Sequence, residues 1–69
     1  MFIVIEIQKN GEEIATIVNT YDNHFSAESK YYSVLSAAAL SSVKKHGAIL
    51  LTEDGVCIRS EVYEHKTEE

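Results

Sequence analysis

The chain has 69 residues, a single cysteine and a formal net charge of −5. That length holds one domain spanning 1–69, and a domain this small buries only about 60% of the surface its unfolded chain exposes. Lone Cys57 rules out an internal disulfide and a Cys-rich structural zinc site, so self-association is the stabilising aid left. The negative charge argues against general nucleic-acid binding, which needs a basic face to displace counterions. The apolar fraction of 45% and charged fraction of 25% are those of an ordinary globular protein. The opening MFIVIEIQ is too short and too alternating for a signal peptide, and no apolar run approaches membrane-spanning length. A cytoplasmic protein with no membrane association is expected.

In chain order, FIVIEIQ (2–8) and EIATIVN (13–19) read as strands, and Asn10-Gly11 between them is a strong hairpin signal. With those two as the turn residues, Ile7 faces Ile14, Ile5 faces Thr16 and Ile3 faces Val18, and this face is the expected core. The opposite face mixes Phe2, Val4, Ala15 and Ile17 with Glu6, Gln8 and Glu13. TYDNHF (20–25) reads as a loop and Ser26 as a helix N-cap, with Glu28 in the first turn. The helix is expected over 27–46, with Lys44, Lys45 and His46 in its last turn and Gly47 as its terminator. Tyr32, Leu35, Ala39, Leu40 and Val43 form the stripe expected to cover the sheet. AILLTE (48–53) and VCIRSEVY (56–63) flank Asp54-Gly55 as a second hairpin. One face holds Ile49, Leu51, Val56, Ile58 and Val62, unless a bulge shifts the register by one. The end, 64–69, reads as a frayed tail.

These elements define an α+β fold of order β-β-α-β-β. It is a four-stranded antiparallel sheet from two hairpins, with one long helix packed on one face.

The stretch SVLSAAALSSVKKHG is crowded with small residues where a solvent-facing helix would carry Glu, Lys and Gln. Ser33, Ala37, Ser41 and Lys44 line up as a stripe where another helix could approach closely, and they are the expected oligomer interface. The chain is expected to form at least a dimer, through this stripe or the outer sheet face. A ligand site is expected at the helix start. There, outward N–H groups favour anions, Lys30 and Tyr31 lie in the opening turns, and His24 and Ser26 add hydrogen-bonding groups. No catalytic constellation, metal site or cofactor motif can be assembled. Cys57 has Arg59 two residues on, but a lone strand cysteine is ordinary packing, and His24, His46 and His65 have no metal-site spacing.

The segments MFIVIEIQ, AESKYYSVLSAAALSSV, AILLTEDG and SEVYEHK together resemble a family of short uncharacterised proteins from phages and prophages of gut Firmicutes. The resemblance spans nearly the whole chain and brings no catalytic residues. It implies a small, non-enzymatic phage accessory or virion-associated protein acting in the host cell cytoplasm during infection. On that footing the expected function is binding and sequestering a small anionic, nucleotide-type signal to counter host defence. The alternative is a protein-binding module, either an inhibitor of one host factor or a minor virion component.

Overall fold

The computed structural model describes residues 1–65. Strands β1 (Phe2–Asn10) and β2 (Glu13–Tyr21) precede helix α1 (His24–Ala39), and β3 (Lys45–Thr52) and β4 (Cys57–Glu64) follow it. All neighbouring strands are antiparallel, in the order β2-β1-β3-β4, so β1 and β3 are central and the sheet is open. This is the expected α+β fold.

The first hairpin turns one residue later than expected. Asn10 pairs with Glu13, and Gly11 at φ +72° is the first of two turn residues, a place where glycine costs nothing sterically. Ile7 therefore faces Thr16, Ile5 faces Val18 and Ile3 faces Thr20. Because the pairing slides by two positions in all, every side chain keeps its face. The second hairpin uses three loop residues, Glu53, Asp54 and Gly55. The Gly55 N–H donates to the Thr52 carbonyl at 3.0 Å, and Gly55 sits at φ +88°. A bulge follows: Leu50 pairs with Arg59 but Leu51 pairs with Cys57, which leaves Ile58 unpaired and takes it out of line with Ile49 and Leu51.

The helix begins three residues before its expected start. Asn23, not Ser26, is the cap: its side-chain oxygen accepts from the Phe25 N–H at 2.7 Å and the Ser26 N–H at 3.2 Å. Glu28 thus lies beyond the first turn. The helix ends at Ala39 rather than 46, which is a correction with two causes. The Ser41 hydroxyl accepts from the Val43 N–H at 2.9 Å, a local bond that competes with helix. Beyond that, β1 needs a partner along its length, and Lys45, His46 and Gly47 supply it opposite Lys9, Gln8 and Ile7. Ser41 and Lys44 therefore do not share a helical stripe with Ser33 and Ala37. The chain end is also more ordered than expected through residue 65. Glu64 is in β4, the His65 N–H donates to the Lys44 carbonyl at 2.7 Å, and the His65 ring bonds the Ala38 carbonyl at 2.7 Å. Residues 66–69 of the expected tail lie outside the described residues.

The helix covers the face opposite to the one expected. Ala27, Tyr31 and Val34 pack with Val4, Ala48 and Leu50, flanked by Phe2, Tyr21 and Leu35. Topology explains the choice. β2 and β3 run parallel on either side of β1, so β2–α1–β3 is a crossover connection, and such connections are right-handed. Asn10 and Glu13 close a two-residue turn, so the even residues of β1 direct their backbone groups to β2. With that geometry a right-handed crossover passes over the side carrying Val4. Ile3, Ile5 and Ile7 end up on the side the helix does not cover.

Gly47 sits mid-strand rather than at a helix end. A Cβ there would collide with the Glu61 carbonyl oxygen and with Val62, whose Cα would lie 2.9 Å away. Gly47→Ala is expected to lower stability by about 1–3 kcal/mol through overpacking against β4. Denaturant unfolding measures it, and an unchanged midpoint would mean that β4 yields without cost.

Candidate functional site

Helix α1 lies mainly over β3 and β1, leaving part of β4 uncovered. Of the stripe expected to face the sheet, Tyr32, Leu35, Ala39 and Leu40 instead form the flank that overlooks β4, with Leu40 90% exposed, and Val43 lies beyond the helix. The sheet-facing stripe is rotated to Ala27, Tyr31, Val34 and Ala38. Between that flank and β4 runs an open groove of about 910 Å³. Its walls include Tyr32 and Ser36 from the helix, and Arg59, Glu61 and Tyr63 from the strand. The bulge brings Ile58 to the same groove.

Arg59 is the groove's cation. Its guanidinium carbon lies 6.0 Å from the centroid of the Tyr32 ring, and its Nε donates to Glu28 at 3.4 Å. Tyr32 in turn meets Tyr31 edge-on, with centroids 5.2 Å apart. A half-exposed arginine beside an aromatic face, with hydroxyls around it, can pair with an anion while the ring stacks on a planar group.

A second polar cluster is buried beneath the helix. His46 is only 5% exposed, and its Nε2 lies 2.6 Å from Glu6 Oε2, which also accepts from Gln8 Nε2 at 3.0 Å. With a carboxylate as acceptor, Nε2 carries the proton. The buried Nδ1 has no partner among the described residues. Burial raises the Glu6 carboxyl, but the hydrogen bonds from His46 and Gln8 and the charge of Lys30 outweigh it, and hold the carboxyl below its ordinary value of 4.5. The cluster explains how Glu6 is tolerated on the covered face: its carboxylate accepts from both His46 and Gln8.

The residues expected to bind a ligand are not gathered into one site. Tyr31 is 3% exposed and belongs to the core. Burial first, then the charge of Glu61, raises its phenol above the ordinary value of 10.0. Lys30 influences Glu6, and the His24 ring packs 5.1 Å from Phe2 and 5.9 Å from Phe25. The first-turn amides of Phe25 and Ser26 that would greet an anion are already bonded to Asn23. Of the expected interface, Ser33 and Ala37 are exposed on α1, while Ser41 and Lys44 follow it. Cys57 is exposed, its thiol donating to the Arg59 carbonyl at 3.5 Å. Among the described residues there is no group of three or more His, Cys, Asp or Glu that could hold a metal ion. Among them, too, no helix is long and apolar enough to cross a membrane.

No protein-family model matches the chain, and neither a curated protein nor a solved structure does. Ser36, Arg59 and Glu61 were not expected at a ligand site, and Tyr32 was expected against the sheet. Arg59, Glu61 and Tyr63 alternate along one strand face, but their meeting with Tyr32 depends on how the helix is rotated.

The Glu6 pair sets part of the acid stability. Its folded carboxyl is lowered, so below the ordinary range the unfolded chain binds the proton first. The stabilisation is complete above that range and is lost as the pH falls through the lowered folded value. Glu6→Gln is expected to reduce stability at neutral pH and to flatten its decline between pH values around 5 and 3. Thermal unfolding across that window checks it, and an undiminished slope would assign the decline to other carboxyls.

Proposed function

We propose that the chain is a non-enzymatic binding module that holds a small, planar anion of the nucleotide class in the groove between α1 and β4. The observation that carries this reading is the Arg59 guanidinium set against the Tyr32 ring at an open groove. A phosphate would displace Glu28 from Arg59 and form charge-assisted hydrogen bonds with the guanidinium. A base would stack on Tyr32, as bases do on aromatic side chains wherever single nucleotides are recognised. Ser36 adds a hydroxyl along the helix wall. Glu61 in the same groove disfavours a highly charged ligand and suits one with a single phosphate or a donor-rich base edge. In the phage setting that the sequence resembles, holding such a signal intact would blunt a host defence that depends on it.

A second reading is favoured by a separate observation. The sheet face away from the helix is apolar, and Val18 and Val62 on it are more than half exposed. A host protein bound there would make the chain an inhibitor or a minor virion component.

Native mass spectrometry of the protein as purified, beside a denatured sample, separates these readings. Extra mass released unchanged on denaturation supports the groove reading, and a ligand consumed during incubation overturns it. Titration calorimetry with adenosine and guanosine monophosphates and their cyclic dinucleotides gives the residue test. Arg59→Ala and Tyr32→Ala are each expected to weaken the best ligand by about tenfold or more. Equal affinity in both variants would place the site elsewhere.

A further inference from the structure

We propose that two copies of this chain pack their open sheet faces against each other about a twofold axis. The pairing registers define that face. Thr20, Ile3 and Leu51 form its first row across the sheet, and Val18, Ile5, Ile49 and Ser60 its second. Thr16, Ile7, Gly47 and Val62 form the third. None of these rows carries a charged side chain, although the chain as a whole carries −5. Charges flank the rows at both ends: Lys9, Lys45 and Glu64 at one, where the last two pair at 3.3 Å, and the Met1 amino group with Glu53 at the other, 2.8 Å apart. α1 packs on the other side, so among the described residues no element covers these isoleucines.

A second copy is the occupant that suits this face. With no charge on it, the face has no means of selecting a basic or acidic partner, but it is complementary to itself. Large Ile and Leu side chains alternate with Thr, Ser and Gly, so two such faces can interdigitate as stacked sheets do. An isologous contact needs only that one patch fit its own copy. Four strands about 4.8 Å apart and three rows about 6.7 Å apart give a flat footprint of about 390 Å². Two copies therefore cover about 770 Å² of footprint, and the relief of the branched side chains, with the stems of the Lys9 and Lys45 row, brings the accessible area to the about 1,000 Å² that a specific interface needs. The protomer has cause to need it: Leu50 and Val4 are the largest side chains it buries completely. The proposal stands apart from the groove, which lies on the helix side of the sheet.

The test is the mass in solution, by size exclusion with light scattering and by sedimentation, across a dilution series. The wild type is expected at twice the chain mass, with a melting temperature that rises with concentration. Val18→Glu with Val62→Glu is expected to weaken the dimer by at least about a hundredfold, since each charge would be buried in the contact. Both positions are largely exposed in the protomer, 57% and 53% respectively, so the fold tolerates the change. Thr16→Glu with Ser60→Glu removes no apolar packing and is expected to act in the same direction. Ala37→Glu with Ser41→Glu is expected to leave the dimer intact. A wild type that is monomeric throughout overturns the proposal and leaves the face to a different partner. So does an oligomer that both sheet-face pairs leave intact, or one that only the Ala37/Ser41 pair dissociates.

Discussion

The arrangement of the molecule depends on the way the chain crosses from β2 to β3. Both strands flank β1 and run parallel to each other, so α1 must bridge them over one side of the sheet. Right-handed crossovers are strongly preferred, and that preference selects the side bearing Val4 and Leu50. The Ile3-Ile5-Ile7 side is left bare, although by composition it is the better candidate for a core. Handedness therefore outranks hydrophobicity here, and the apolar surface it strands is the most distinctive feature of the protomer.

The covered side is adapted to its less apolar composition in two ways. Ala27, Ala38 and Ala48 are fully buried and let the helix backbone approach the sheet closely. This accounts for part of the small-residue content of the helix, which faces the sheet rather than a second helix. Glu6 is accommodated by accepting from both His46 and Gln8. The aliphatic content of this interior is modest. A fully buried Val or Leu stabilises by about 1.5–3 kcal/mol, while fixing each backbone residue costs about 1–2 kcal/mol. A protomer with so few large buried side chains gains disproportionately from any additional burial, which connects its short length to its uncovered face.

The groove between α1 and β4 follows from the same geometry. A helix centred on β3 and β1 cannot also roof β4, so Tyr32 and Leu40 overhang the strand and leave Arg59 reachable. The helix start, where an anion was expected, is already satisfied by Asn23. What remains for an anion is a side-chain cation beside an aromatic ring, which can be tuned by Glu28 and Glu61 in a way that backbone amides cannot. The groove and the bare face lie on opposite sides of the sheet, so ligand binding and self-association could operate at once.

Element types and their order were legible in the residues. β-branched runs and the Asn10-Gly11 and Asp54-Gly55 signals marked two hairpins, and the Ala- and Ser-rich segment marked one helix. Which side chains share a face was also legible for β1, β2 and β3, because alternation survives the one-residue change in the first turn. The bulge was foreseen only as an alternative, and it moved Ile58 to the groove. The residues did not reveal which sheet face the helix covers, how far it is rotated or where it ends. Tyr31 and Tyr32 are adjacent, and only the contact with Val4, Ala48 and Leu50 decides that Tyr31 is core and Tyr32 lines the groove. Lys45, His46 and Gly47 have the local features of a helix end, yet become a strand because β1 needs a partner there. Local propensity is worth tenths of a kcal/mol per residue, and strand pairing across a sheet together with crossover handedness overrides it.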